Sequence, residues 1–207
     1  LAVIVIGGIF FFIHKKSQDE ISQANPPKNS VIVAFGDSLT EGFGASKIDS
    51  RNDGRRNGFP ELLSREIGID IINKGHGGDT TQAGLDRIDD VLALDPGTVI
   101  VLFGGNDFLR QVPQEKTFAN LKKMIDTFQE NDTRVILLGV RGGLLSDVYL
   151  EQFDALAKEE GVPYVPNVLE GPLRDNSLMS DAIHPNDKGY ALIAAKVLPV
   201  LKKTIGM

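Results

Sequence analysis

Cysteine and tryptophan are absent from the 207 residues, and histidine occurs only at His14, His76 and His184. Without cysteine the chain has no disulfide framework, no thiolate metal ligand and no cysteine nucleophile. This absence indicates no compartment, because such a protein suits oxidising and reducing surroundings alike. The histidines form no HExxH motif and no cluster, so the sequence predicts no metal site. A reaction that needs an imidazole base must use one of these three residues.

Long clusters of basic residues are also missing. Lys and Arg total 22 against 28 Asp and Glu, which gives a formal net charge of −6. Because binding to a phosphate backbone depends on clustered positive charge, we expect no nucleic-acid partner. The length and the 42% of hydrophobic residues suit one domain with a substantial core.

The one long apolar run is N-terminal: residues 1–13 carry no polar side chain and precede His14, Lys15 and Lys16. The run is shorter than the ~20 residues that span a bilayer, and it lacks the small-residue cleavage site of a signal peptide. It also lacks the amphipathic period of a core element. We predict a membrane anchor or signal remnant over residues 1–16, a linker over 17–29 and one domain over 30–207.

Beyond residue 30, short β-branched runs alternate with amphipathic, helix-like segments. The predicted strands are residues 31–35, 69–73, 98–103, 134–140 and 163–165. The predicted helices are residues 59–67, 81–93, 115–130, 147–160 and 187–204. This alternation predicts an α/β fold in which helices cover both faces of a parallel five-stranded sheet, a three-layer α/β/α arrangement of the flavodoxin-like kind.

Four polar blocks punctuate this pattern. They are GDSLT at residues 36–40, NKGHGGDT at 73–80, GGND at 104–107 and DAIHP at 181–185. The first three follow predicted strands, and the carboxyl ends of parallel strands are where open α/β sheets place their sites. The serine of the first block, with the aspartate and histidine of the last, supplies the parts of an acyl-transfer site.

These blocks resemble those of the GDSL family of SGNH hydrolases, and the resemblance extends over about residues 30–207. The residues of these blocks look most like those of the thioesterase, lysophospholipase and arylesterase branch of this family. Residue by residue, the resemblance implies a catalytic triad of Ser38, Asp181 and His184. It implies an oxyanion hole made by the backbone N–H groups of Ser38 and Gly78 and the side chain of Asn106.

Among the three histidines, His184 is the strongest candidate for the base. Asp181 stands three residues before it and can orient its ring, whereas His14 flanks the predicted anchor. We expect His184 alone to have such a carboxylate, and His76 to face solvent or line the substrate site.

The aspartates that adjoin the site residues have a structural interpretation. Asp37, Asp79 and Asp107 are predicted to serve as hydrogen-bond acceptors or helix caps rather than as proton carriers.

The resemblance implies a serine esterase that hydrolyses small-molecule carboxylic esters or thioesters, without a cofactor, on the extracytoplasmic side of the cell envelope. The segment after the fourth strand departs from the family's Pro-Pro-Asn loop. There, Leu144 and Leu145 are candidates to line an acyl groove, and Arg141 is either a phosphate or carboxylate contact or a solvated loop charge.

Three alternatives remain open at this point. A carbohydrate acetylesterase would have a small acyl pocket, and an inactive SGNH-like binding domain would leave Ser38 unreactive. A nucleotide-binding domain is disfavoured, because the glycine-rich loop lacks both the P-loop ending and the GxGxxG spacing.

Overall fold

A computed structural model describes residues 30–48, 55–141 and 148–207. Its five strands are all parallel, in the order β2-β1-β3-β4-β5. The strands are β1 (Ile32–Gly36), β2 (Ile71–Gly75), β3 (Thr98–Leu102), β4 (Arg134–Leu138) and β5 (Tyr164–Val165). This is the strand order of flavodoxin-like sheets, whose ligand crevice lies between the ends of β1 and β3. The predicted α/β fold with a parallel five-stranded sheet is confirmed.

The helices are α1 (Ser38–Glu41), α2 (Phe59–Ile67), α3 (Thr81–Asp86), α4 (Ile88–Leu92), α5 (Gly105–Leu109), α6 (Gln114–Glu130), α7 (Val148–Glu160) and α8 (Asp187–Ile205). The helices form two groups. In one, α2 packs against α8, and in the other, α6 packs against α3 and α7. Between these groups every residue of β1 and β3 is buried, as expected for a parallel sheet covered on both faces.

The register of the central strands brings their carboxyl ends level. Gly36 at the end of β1 pairs with Gly75 of β2 on one side and with Leu102 of β3 on the other. The loops after these three strands therefore leave the sheet side by side. These are the loops that carry the first three polar blocks.

Two glycines allow helix α1 to sit directly on this edge. A Cβ at Gly36 would lie 2.1 Å from the hydroxyl oxygen of Thr40, and a Cβ at Gly75 would lie 2.0 Å from the backbone nitrogen of Glu41. No side chain fits at such distances, so glycine at both strand ends is what lets α1 pack against them.

One predicted helix is wrong. Residues 81–93 form two short helices, α3 and α4, which meet at Arg87, where φ is −124° and ψ is 18°. Neither proline nor glycine occupies the break, and the Arg87 side chain makes tertiary hydrogen bonds described below. Two further helices, α1 and α5, are too short to show an apolar period and were not predicted.

The predicted anchor over residues 1–16 and the linker over 17–29 lie outside the described residues. Among the residues that the structure describes, no helix combines the length and the apolar character that crossing a bilayer requires.

Candidate active site

Ser38 is the first residue of α1 and follows the last residue of β1 by two positions. Asp37 caps the helix, because its Oδ1 accepts a hydrogen bond from the backbone N–H of Leu39 at 2.9 Å. The helix ends at Gly42 in the left-handed region, with φ of 87°. This tight strand-to-helix turn holds the serine hydroxyl at the edge of the sheet.

The loop before α8 brings His184 and Asp181 to that hydroxyl. His184 Nε2 lies 3.0 Å from Ser38 Oγ, and His184 Nδ1 lies 2.8 Å from Asp181 Oδ2. The structure thus joins a serine hydroxyl, an imidazole and a carboxylate in one hydrogen-bonded chain, an arrangement that can activate a serine. Residues 146 positions apart in the sequence meet here.

Asp181 is fixed by its own loop. Its Oδ1 accepts from the backbone N–H groups of Ile183 at 2.9 Å and of His184 at 2.8 Å. Partial burial would raise the pKa of Asp181, but the hydrogen bonds from Ile183 and from the His184 ring and backbone outweigh it and lower the pKa. The carboxylate is therefore ionised at neutral pH and able to stabilise an imidazolium.

An aromatic side chain covers the candidate base. The ring centroids of Phe43 and His184 lie 4.6 Å apart at an interplanar angle of 51°. The guanidinium of Arg56 lies 5.4 Å from the Phe43 ring, and the hydroxyl of Tyr190 donates to the Phe43 carbonyl oxygen at 2.8 Å. Nothing in the local sequence pattern pointed to Phe43, because this contact depends on where α8 docks.

The loop after β2 brings Gly77 next to Ser38, and Gly78 follows it. Gly78 has a φ of 83°, and a Cβ on the preceding Gly77 would lie 4.0 Å from the Cβ of Ser38. Arg110, which follows α5, donates from Nη2 to the Gly78 carbonyl oxygen at 2.8 Å. The guanidinium of Arg110 thus restrains the carbonyl group of Gly78, the glycine predicted for the oxyanion hole.

Asn106 lies in the first turn of α5, after Gly104 with its φ of 112°. Its Nδ2 donates to the Asp79 carbonyl oxygen at 3.0 Å and to Asp37 Oδ2 at 3.3 Å. The amide therefore points to the same edge as Ser38 and the loop containing Gly78. The structure brings together all five site residues that the sequence predicted.

The prediction that only His184 has an orienting carboxylate is wrong. His76 Nδ1 lies 2.8 Å from Asp79 Oδ1, and Arg87 Nε donates to Asp79 Oδ2 at 2.7 Å. The sequence spacing of this pair is the same as that of Asp181 and His184, in the opposite order. The His76 side chain is largely exposed, as predicted, and the Ser38 hydroxyl bonds to His184 instead.

The aspartates next to the site residues act as hydrogen-bond acceptors, as predicted. The buried Asp107 accepts from the backbone N–H of Thr81 at 2.8 Å and from its hydroxyl at 2.5 Å. Burial raises the pKa of Asp37 to about 7, against the hydrogen bond from Leu39 and with a further contribution from the charges of Asp107 and Asp79.

An open groove of about 480 Å³ is lined in part by the last two residues of α5. Its walls are mainly apolar, and they are formed by Phe108, Leu109, Gln111, Val112 and Tyr149. The residues that the sequence suggested for an acyl groove, Leu144 and Leu145, lie outside the described residues, and Arg141 is partly exposed.

Comparison with known proteins agrees with this geometry. A model of the GDSL-like Lipase/Acylhydrolase family matches residues 34–192. An arylesterase of Vibrio mimicus is 28% identical over 88% of this chain and 93% of its own length. The thioesterase 1/protease 1/lysophospholipase L1 of Escherichia coli K12 is 28% identical over 79% of each chain. The crystal structure of AlinE4, an SGNH-hydrolase family esterase, is 33% identical over 86% of this chain and 97% of that one, with a TM-score of 0.61.

The chain belongs to the GDSL-like lipase/acylhydrolase family. The match runs from β1 into α8 and includes every candidate site residue. The prediction of a GDSL serine esterase is confirmed at this level: the protein is an ester hydrolase of the GDSL and SGNH type.

Sequence reasoning missed three side chains of this GDSL hydrolase that contact the site. They are Phe43 against His184, Arg110 on the Gly78 carbonyl and Arg87 on Asp79. The only signal in the sequence was that Arg110 stands four residues after Asn106, about one helical turn away, directly after the last residue of α5.

Proposed function

We propose that this GDSL esterase works through an acyl-enzyme on Ser38. The observation that carries the proposal is the hydrogen-bonded chain from Asp181 through His184 to Ser38 Oγ. Ser38 Oγ attacks the carbonyl carbon of an ester or thioester while its proton passes to His184 Nε2. The tetrahedral adduct collapses, the bond to the leaving alcohol or thiol breaks, and His184 returns the proton to that group. Water then discharges the acyl group by the same route.

In this mechanism the oxyanion is stabilised by the backbone N–H groups of Ser38 and Gly78 and by Nδ2 of Asn106. The proximity of these groups supports the assignment, since the loop of Gly78 contacts Ser38 and Asn106 bonds to Asp79 in that loop. In the resting structure both Nδ2 protons have acceptors, and the longer bond, to Asp37 at 3.3 Å, is the one that yields to substrate. One such donor typically contributes ~3–4 kcal/mol of transition-state stabilisation.

The groove at the end of α5, the helix that carries Asn106, supports a substrate with an apolar acyl chain. Phe108 and Leu109 are exposed large hydrophobic residues that line it. The names of the relatives, arylesterase and thioesterase/lysophospholipase, fit the same substrate class. A carbohydrate acetylesterase would gain nothing from this groove, so activity on acetyl and octanoyl p-nitrophenyl esters separates the two candidates. We expect the octanoyl ester to have the higher kcat/KM.

Covalent labelling tests the nucleophile directly. A fluorophosphonate probe should label the protein at Ser38, and the Ser38→Ala variant should be neither labelled nor active. The serine or histidine of such a triad is typically worth ~10⁶-fold in turnover. A folded Ser38→Ala variant that keeps a tenth of the wild-type activity on a p-nitrophenyl ester would overturn the assignment, and an unlabelled wild-type protein would favour the inactive binding domain.

We also propose that residues 30–207 form the catalytic domain, outside the cytoplasm, and that residues 1–29 tether it to the membrane. The apolar run over 1–13 and the prolines of the linker support this division. A shortened protein that begins at Ser30 should be soluble and as active on water-soluble esters as the full chain, which should sediment with membranes. A shortened protein that unfolds would show that residues 1–29 belong to the fold.

A further inference from the structure

Arg87 stands at the break between α3 and α4 and points its side chain toward the active-site edge of the sheet. Its side chain is only 22% exposed. Nε donates to Asp79 Oδ2 at 2.7 Å, Nη1 donates to the Lys74 carbonyl oxygen at 3.0 Å, and Nη2 donates to the Gly36 carbonyl oxygen at 2.9 Å. One guanidinium therefore binds three acceptors that belong to two different strand ends and the loop after β2.

The guanidinium is also packed on aromatic rings. Its carbon lies 4.5 Å from the ring centroid of Phe35 and 5.9 Å from that of Phe103. Phe35 belongs to β1, and Phe103 directly follows β3. Both rings are fully buried and contact each other edge to face, with centroids 5.0 Å apart. Arg87 thus contacts the ends of all three strands whose loops carry Ser38, Gly78 and Asn106.

Asp79 links this guanidinium to the oxyanion hole. The Asp79 side chain accepts from Arg87, while its backbone carbonyl oxygen accepts from Asn106 Nδ2. Asp79 also directly follows Gly78, so that fixing its side chain restrains the peptide of the proposed oxyanion glycine. The positions of two of the three donors depend on one residue that Arg87 holds.

We propose that Arg87 is a positioning residue that sets the spacing of the three oxyanion donors. This inference rests on the proposed function, in which those donors stabilise the transition state. Lysine cannot replace arginine here, because a single ammonium group lacks the planar fork that reaches three acceptors at once. Displacing catalytic groups by about 1 Å can cost on the order of 10²-fold in rate even when the altered residue lies away from the chemistry.

The test uses the Arg87→Lys variant of the full chain and p-nitrophenyl butyrate as the substrate. We expect kcat to fall by ~10–100-fold and KM to change little, since the lost contacts matter for the developing oxyanion rather than for binding. Arg134→Lys is the matched control, because Arg134 begins β4 at the opposite end of the sheet and donates to the Thr204 carbonyl oxygen. It should keep the wild-type kcat.

Two further measurements separate positioning from simple stabilisation. In an Asn106→Ala background, Arg87→Lys should cause a smaller loss of kcat than in the wild type, because one of the donors that it positions is gone. Asp79→Asn should reproduce most of the Arg87→Lys effect, and it remains informative if Arg87→Lys does not fold.

The inference is overturned if folded Arg87→Lys, or Asp79→Asn in its place, keeps the wild-type kcat while its unfolding free energy falls. An equal loss of kcat in both Asn106 backgrounds would also overturn it. Failure of the proposed function is a separate outcome, because the wild-type protein would then not be labelled at Ser38 by a fluorophosphonate.

Discussion

Two pairs of histidine and aspartate stand at the same edge of this sheet, and they differ in which partner is buried. In each pair, Nδ1 of the histidine lies 2.8 Å from a carboxylate oxygen of an aspartate three residues away. The His184 side chain is 13% exposed and that of Asp181 44% exposed. The order is reversed in the other pair, where His76 is 75% exposed and Asp79 11% exposed.

The difference shows that a histidine and a carboxylate at matching spacing do not by themselves bring the imidazole to the serine. The second oxygen of Asp181 binds its own loop, which leaves the histidine to reach Ser38. The second oxygen of Asp79 binds Arg87, which makes the carboxylate part of the framework and leaves its histidine at the surface. The two pairs therefore differ in the groups that bind the second carboxylate oxygen.

Removal of each imidazole should give the largest difference in turnover between the two pairs. We expect His184→Ala to lower kcat by ~10⁶-fold, because the serine loses its base. His76→Ala should leave turnover nearly unchanged, because its ring faces solvent. Steady-state turnover of a p-nitrophenyl ester by both variants, with circular dichroism to show that each is folded, is the measurement. Similar losses in the two variants would refute the assignment of the base.

Replacement of the proposed triad carboxylate, Asp181, should cause the next largest loss of kcat. Asp181→Asn should lower kcat by ~10⁴-fold, because an amide in this position favours the wrong tautomer of His184 and no longer stabilises its imidazolium. The backbone N–H groups that bind Oδ1 can still bind an amide oxygen, so the loop should persist. Single-turnover kinetics checks the rate. A loss of less than ~10-fold would mean that the carboxylate does not orient the base.

The oxyanion side of the site should respond more weakly. Asn106→Ala should lower kcat by ~10²–10³-fold with little change in KM, because its amide binds the transition state more strongly than the substrate. Michaelis–Menten analysis separates the two parameters. A normal kcat with a raised KM would instead make Asn106 a residue that binds the substrate in its ground state.

Asp37 is a third carboxyl group at this edge and is buried. Its titration is expected to change the unfolding free energy of the protein with pH. Since burial raises its pKa to about 7 in the folded protein, the folded state binds its proton more tightly than the unfolded state. Its contribution is present at low pH and is lost as pH rises through 7. Between pH 5 and pH 8 this loss amounts to about 2–3 kcal/mol. Asp181 has the opposite sign, because its pKa is lowered and its contribution is lost only as pH falls into the acid range.

The Asp37→Asn variant tests this pH dependence. Asparagine can still cap α1 and stays neutral, so the variant should lose less stability than the wild type between pH 5 and pH 8. Urea unfolding of both proteins at the two pH values gives the difference. Parallel pH profiles for the two proteins would show that Asp37 does not titrate in this range.

Much of the fold could be predicted from the sequence. The alternation of β-branched runs and amphipathic segments predicted all five strands to within about two residues at each end. Four of the five helices that it predicted are present in the structure. Three of the four polar blocks follow strand ends, and parallel strands bring such ends together. This placed Ser38, Gly78 and Asn106 at one edge of the sheet, whereas Asp181 and His184 were joined to them only through the resemblance to the GDSL family.

The sequence by itself determined the order of the elements and the residues gathered at the edge of the sheet, because periodicity and turn residues act over short stretches of chain. Only the tertiary structure decided how those residues are held. The helix break at Arg87 and its hydrogen bond to Gly36, 51 positions away, depend on the register of three strands. The carboxylates look alike in the sequence, and burial against distant elements distinguishes Asp79, which binds a guanidinium, from Asp181, whose histidine partner bonds to Ser38.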